Sequence, residues 1–365
     1  MIDPRLTHAS TLPARSYVDP AVLTAEQRQI FGRTWQLAAH LSQLRDRGQF
    51  ITTTIAGEPL LLVRGSDDVL RAMSNVCRHR AGPVARGEGK RPVLQCGYHG
   101  WTYSLDGRLA TTPEFEGVED FDRSNCQLPQ FRVEVWNDLV FVNLSPGGES
   151  LANYLGGLQT DMPSHDYGTS RLAHRKVWEL DCNWKVYVDN YLEGYHIPIV
   201  HPGLFRELDY PNYRTETGKN YSNQIAPTRR PDRIRVAAGE SKVRYFWLFP
   251  NLMLNVYPDN FSTNLIVPLS AERTATIFDW YFPEGAAAGV QVDETVAFSD
   301  EIQLEDIEIC ETVQLGLRSA FYDTGRYSPQ RENGVHHFHC LYDEWMRAAD
   351  QDVRDHAGRA ATTRA

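Results

Sequence analysis

Two short segments constrain this chain more than anything else in it: Cys77-Arg-His79 and Cys96-Gly-Tyr-His99. Sixteen residues separate them, and each supplies one thiol and one imidazole. Two thiolates with two imidazoles are the ligand set of a [2Fe–2S] cluster in which histidines replace cysteines on one iron. Cys77 and Cys96 then hold one iron, and His79 and His99 the other. A zinc site uses the same residue types, but it usually pairs Cys with Cys and His with His in separate segments. Here each segment mixes the two. Gly82, Pro83, Gly97 and Gly100 flank the ligands, so each segment reads as a tight loop at a hairpin tip. Loops of that kind aim backbone N–H groups at sulfur and raise the cluster's potential.

The rest of the composition narrows the class. At 365 residues the chain is long enough for two cores. A formal charge of −10 argues against a nucleic-acid or anionic-membrane surface. No apolar run approaches the roughly 20 residues of a membrane span, and no secretory leader is visible. Six cysteines in so long a chain do not form a disulfide framework. Cys126, Cys182, Cys310 and Cys340 read as reduced packing residues of a cytoplasmic protein.

Along the chain, residues 1–40 carry a helical pattern from Leu23 to Leu41, started by a Thr24-Ala-Glu-Gln27 capping box. Residues 41–146 change to short β-runs, as in a small all-β domain: 50–55, 59–63, 133–136 and 139–143. Pro146-Gly-Gly148 marks a boundary. In residues 147–348 come helix 151–161, strand 175–180 and helix 184–195. An antiparallel meander over 243–249, 252–257, 262–269 and 274–282 follows, then a long helix at about 292–321. Residues 349–365 read as a flexible tail.

An electron-carrying cluster needs an acceptor. His196 and His201 are five apart, and Pro198 and Pro202 interrupt the helix around them, so their rings are free to converge. Two His and one carboxylate on one face form the facial triad of non-haem Fe(II) sites. On the long helix Ile302, Ile309, Val313, Leu317 and Ala320 make an apolar stripe, and Asp306 falls inside it, about 40° from Ile302. Glu305 lies on its margin, while Glu308 and Glu311 point to solvent. A buried carboxylate needs a partner: a metal, or alternatively an Arg or a backbone donor. Taken alone, the two histidines also suit a purely structural role.

With these residues in view, the chain resembles the α-subunits of Rieske non-haem iron oxygenases over nearly its whole length. The respiratory Rieske proteins carry an extra disulfide between the loops; those positions are Gly82 and Tyr98 here. A low cluster potential, towards roughly −150 mV, is expected. The resemblance implies an α+β chain: an all-β Rieske [2Fe–2S] domain, then a catalytic domain with an antiparallel sheet flanked by helices, helix-grip-like. It implies that His196, His201 and Asp306 hold a mononuclear Fe(II). It implies that Glu193 links this iron to a neighbouring subunit's cluster through His79 or His99, in a homotrimer. O₂ is the oxidant. The electrons come from NAD(P)H through a flavin or iron–sulfur reductase partner.

Tyr245 to Tyr257, Ser262 to Leu269, Glu305 to Leu317 and Gly334 to His339 resemble the branch holding choline monooxygenase and the betaine, stachydrine and carnitine oxygenases. Quaternary ammonium heads donate no hydrogen bond and are recognised by aromatic faces. Tyr245, Trp247 and Phe249 are expected on one strand face, with Tyr191, Tyr257, Phe261 and Trp280 as further candidates; for any one of them a place in the sheet core is the competing role. The implied reaction hydroxylates a C–H beside nitrogen. A betaine then loses formaldehyde, a demethylation, whereas choline gives an aldehyde hydrate. Ring hydroxylation or O-demethylation of an aromatic acid or ether is the alternative. A pure Rieske electron carrier is a further one, which the chain's length argues against. His336, His337 and His339 are expected to be packed or surface residues, not a third metal site.

Overall fold

The structure, a computed structural model, describes residues 1–162, 170–229, 242–257, 260–283 and 290–362, with side chains in the last span from 292 to 348. The chain divides into two compact units, Phe31–Leu151 and Met1–Ile30 with Ala152–Ala365.

In the second unit, the chain enters through α1 (Pro20–Glu26), capped by Asp19, whose side chain accepts from the N–H of Ala21. The expected capping box at Thr24 is not used: Thr24 lies inside α1 and donates its hydroxyl to the Pro20 carbonyl. Nor does helix continue to Leu41. A π-turn over Gln27–Phe31 ends it before Gly32, and Gln36–His40 is a strand. That strand pairs with a strand of the β-unit, and sheet hydrogen bonds there override the local helical pattern. The division between units therefore falls ten residues earlier than the sequence pattern places it.

The β-unit contains β1 (Gln36–His40), β2 (Gln49–Ile55), β3 (Glu58–Arg64), β4 (Leu70–Ser74), β5 (Glu88–Lys90), β6 (Leu94–Gln95), β7 (Thr102–Tyr103), β8 (Leu109–Thr111), β9 (Gln130–Trp136) and β10 (Leu139–Asn143). Seven form an antiparallel sheet in the order β1-β10-β9-β4-β3-β2-β5, and β6-β7-β8 form a second, small one. Leu60-Leu-Leu-Val63 is apolar without alternation because both faces of β3 are buried. Leu61 and Val63 join the core that also holds Cys77 and Cys96, while Leu60 and Leu62 join the core on the other side. Asn137 and Asp138, both at positive φ, close the β9–β10 hairpin as a two-residue turn.

After α2 (Leu151–Leu155) and α3 (Leu158–Asp161) the larger unit builds β11 (Ser170–Leu180), α4 (Trp184–Tyr191), α5 (Ile197–Val200) and α6 (Pro202–Glu207). Next come β12 (Arg214–Thr217), β13 (Tyr221–Pro227), β14 (Lys242–Leu248), β15 (Leu252–Val256), β16 (Phe261–Ser270) and β17 (Arg273–Pro283). The unit ends in α7 (Val290–Leu317) and α8 (Asn333–Thr362). The sheet is an antiparallel meander, β17-β16-β15-β14-β13-β12, with β11 added at the β17 edge. The expected helix 184–195 stops at Tyr191, and the one expected at about 292–321 at Leu317. The backbone from 349 to 362, read as a tail, is helical; its sequence holds four alanines and two arginines, good helix formers. Residues 363–365 of that tail lie outside the described residues. No described helix is long and apolar enough to cross a membrane.

Candidate metal centres and active site

The two ligand loops of the β-unit share one hydrogen-bond plan. Cys77 N–H donates to Gly82 O at 2.8 Å and Ala81 N–H to Cys77 O at 3.0 Å. In the other loop, Cys96 N–H donates to Trp101 O at 2.9 Å and Gly100 N–H to Cys96 O at 3.1 Å. Ala81 and Gly100 take the positive φ that closes each turn. A Cβ on Gly82 would stand 3.1 Å from Cys96 Sγ and 3.3 Å from Tyr98 Cβ, so this position has little room beyond glycine.

Both thiols are buried. The hydroxyl of Tyr103 lies 3.3 Å from Cys77 Sγ and accepts from the Arg78 N–H at 2.9 Å. His79 and His99 meet edge to face with centroids 4.7 Å apart, and His79 stacks on Trp101 at 4.8 Å. Nδ1 of His79 is buried with no hydrogen-bond partner among the described residues. A buried, unpartnered ring nitrogen beside two buried thiols fits a cluster ligand.

The larger unit brings His196, His201 and Asp306 together. Their ligand atoms all lie within 4.8 Å of one another, the one such His/Cys/Asp/Glu group among the described residues. Gly194 lets the chain turn after α4, since a Cβ there would sit 2.7 Å from the Tyr213 ring. Pro198 and Pro202 then start α5 and α6, with His196 and His201 at their N-caps.

Each imidazole is held at Nδ1 by a carboxylate: His196 by Glu193 and His201 by Glu305, both at 2.6 Å. That leaves Nε2 of both rings facing Asp306 Oδ1, at 3.9 Å from His196 and 3.0 Å from His201. Asn190 of α4 donates to the same oxygen at 2.6 Å. Burial favours a neutral His201 ring, but Asp306 and Glu305 outweigh it and raise its pKa. Two Nε2 atoms and a carboxylate oxygen, each ring locked in one orientation, fit a divalent iron with open positions. Glu193 follows the end of α4 rather than standing on a helix, so its carboxylate turns back to the N–H groups of Tyr195 and His196.

These three groups line a cavity of about 370 Å³. One transverse row of the sheet lines it. Gln224 on β13 pairs with Tyr245 on β14, Tyr245 with Asn255 on β15, Asn255 with Ser262 on β16, and Ser262 with Trp280 on β17. Tyr191, Tyr213, Tyr257 and Phe278 add further rings. The amides fix the phenols: Tyr213 donates to Gln224 at 2.5 Å and Tyr191 to Asn255 at 3.0 Å. Burial pushes Tyr191 and Tyr245 well above the usual phenol range and Tyr257 up to about 12, so this wall is neutral. No lysine or arginine stands among its described lining residues.

Of the expected aromatic residues, Tyr191, Tyr245, Tyr257 and Trp280 line the cavity. Trp247, Phe249 and Phe261 do not. Trp247 lies farther along β14, under α8, 5.5 Å from Phe338. Phe249 lies past the strand end and stacks on Trp345. Phe261 has the opposite parity to Ser262 and stacks on Tyr281 at 4.5 Å. Glu305, expected at the stripe's margin, is a direct partner of His201, and Glu311, expected in solvent, accepts from the Asp181 N–H. His336 bonds the Asp3 carbonyl and His339 bonds Tyr327 and Asp189. Gln224, Asn255 and Ser262 were missed, although strand alternation and register place all three on the face of Tyr245.

Two family models match the chain: the Rieske [2Fe–2S] domain over residues 34–122 and the ring hydroxylating α subunit (catalytic domain) over 169–348. The chain is 33% identical to the chloroplastic choline monooxygenase of Arabidopsis thaliana over 93% of its length and 84% of the relative's. It is 34% identical to the carnitine monooxygenase oxygenase subunit of Escherichia coli (strain K12), covering 91% of this chain and 93% of that one. The crystal structure of the quaternary ammonium Rieske monooxygenase CntA with its substrate L-carnitine superposes with a TM-score of 0.84 at 31% identity, covering 94% of this chain and 97% of that one. Both ligand sets lie inside the matched segments, and the chain belongs to the Rieske oxygenases, as an α subunit carrying a Rieske domain ahead of a ring-hydroxylating-type catalytic domain.

Proposed function

We propose that this protein is the terminal oxygenase component of a system that oxidises a small quaternary ammonium compound of the betaine, carnitine or choline type. One observation carries the reading: the cavity lined by His196, His201 and Asp306 has neutral aromatic walls and no lysine or arginine among its described lining residues. Aromatic faces are attractive to a trimethylammonium head by about 0.5–2 kcal/mol. An aromatic carboxylate would instead meet Glu193 and Asp306 with no lysine or arginine among the described lining residues to pair with. The relatives named for choline and carnitine support the same class.

Cys77, Cys96, His79 and His99 would hold the cluster, and His196, His201 and Asp306 the mononuclear iron. When bound, these groups supply single electrons and O₂ activation. The chain supplies the rest. Glu193 and Glu305 keep a proton on Nδ1 of each ligand histidine, Asn190 orients Asp306, and the cavity wall turns a C–H bond beside nitrogen towards the metal end while excluding water. Glu193 is the contact to a cluster histidine of the next subunit in a homotrimer, and a flavin or iron–sulfur reductase is the source of electrons from NAD(P)H. Turnover with such a reductase and a panel of betaines, carnitine, choline and benzoates tests the reading. Coupled O₂ uptake with a quaternary ammonium compound supports it, and coupled turnover confined to benzoates refutes it.

A further inference from the structure

The same cavity has a mouth, and one stripe of α7 connects that mouth to the metal end. Glu294, Phe298, Ile302 and Asp306 recur every four residues along the helix, and all four line the cavity. Asp306 is the last of the four, and its side chain is only 15% exposed. Phe298 is 51% exposed, an apolar ring left at the rim with no core to fill. Glu294, one turn further out, is exposed and makes no ion pair with any described residue. Twelve residues of helix separate Glu294 from Asp306, about 18 Å.

Resting on the quaternary ammonium reading above, we infer that Glu294 is the residue that draws the cationic head into the cavity, with the face of Phe298 as its first resting point. A carboxylate at the mouth of a low-dielectric cleft raises the local concentration of a cation and repels anions. A trimethylammonium group offers no hydrogen bond, so this long-range attraction and the aromatic face are the two means of selecting it before it reaches the inner wall. An acidic residue in the first turn of a helix also has an ordinary role, stabilising the helix dipole. Asp293 separates the two roles: it carries the same charge one residue nearer the helix start, in the first turn itself, and does not line the cavity.

The test compares Glu294→Gln with Asp293→Asn in the full-length, metal-loaded protein. The readouts are calorimetric affinity for a trimethylammonium substrate and kcat/KM at low and high salt. Glu294→Gln should weaken binding and lower kcat/KM about threefold or more at low salt, with kcat unchanged. The loss should shrink in 0.5 M salt on the scale of about a 10 Å screening length at 0.1 M. Asp293→Asn should match the wild type. Wild-type values for Glu294→Gln, or an equal loss in both variants, overturn the assignment while leaving the substrate class intact. If the wild type binds no quaternary ammonium compound, the substrate reading fails and the role of Glu294 fails with it.

Discussion

Glu193 Oε1 stands 2.6 Å from Nδ1 of His196, while its other oxygen takes the N–H groups of Tyr195 and His196. A carboxylate so placed fixes the tautomer of a ligand histidine and bears on the metal without touching it. Glu193→Gln keeps the shape and removes the charge. Loaded with excess Fe(II) to offset the weaker iron binding that the lost partner brings, the variant should still be reduced at its cluster by the reductase. Reoxidation of the pre-reduced protein by O₂ with substrate present should slow about tenfold or more. Stopped-flow absorbance reads this, and a wild-type rate would remove Glu193 from the electron path.

Asp306 is the one carboxylate among the described residues that faces both Nε2 atoms. Asp306→Ala should abolish turnover and lower total iron from about three atoms per chain to about two. The visible spectrum of the cluster should persist. Full activity in this variant would disprove the ligand set.

Glu305 holds the other histidine from the outer side. Glu305→Gln should weaken iron binding at the catalytic site about 10- to 100-fold, measured by chelator competition. The cluster should remain intact, because Cys77, His79, Cys96 and His99 belong to the other compact unit.

The candidate metal ligands stood out in the sequence because Cys77, His79, Cys96, His99, His196 and His201 are chemically distinctive and closely spaced. Asp306 was found by helical period, since α7 is long enough for period to fix a face. Strand 139–143 was also plain, an unbroken apolar run after a turn. The failures share one cause, that local pattern does not encode what packs where. Alternation assigned Trp247 to the face of Tyr245 but not to the part of that face that α8 covers. Phe249 was read as strand, though its neighbour Pro250 already lies in the turn beyond β14. Gln36–His40 looks helical in isolation and is a strand because β10 offers it partners. Glu305 was left at the margin of a helical wheel that cannot show where His201 approaches.

The fold also rests on a buried ion pair. Lys185 of α4 and Glu26 of α1 are fully buried, with Nζ and Oε1 2.6 Å apart; Trp184 and Tyr342 donate to the same carboxylate. Lys185→Met leaves that charge uncompensated and should cost about 3–5 kcal/mol in denaturant unfolding. A loss under 1 kcal/mol would mean Glu26 finds other partners.

His337 predicts acid sensitivity. Burial lowers its pKa to about 4, and its Nε2 has no hydrogen-bond partner among the described residues. The unfolded chain accepts a proton near pH 6.5 and the folded chain resists it. Stability is therefore unaffected above about pH 6.5 and falls between about 6.5 and 4, by about 3 kcal/mol at the lower end. His337→Gln should flatten this part of the pH–stability profile, measured by urea midpoints. An unchanged slope would assign the acid loss to other groups.

The central claim is that a cation is turned over in an aromatic-walled, oxygen-activating cavity. O₂ uptake by the reductase-coupled protein, with a trimethylammonium substrate and its neutral tert-butyl isostere side by side, tests it most directly. Coupled uptake and product are expected with the cation, and weaker binding with little turnover for the isostere. Equal affinity and equal coupled uptake for both would contradict it.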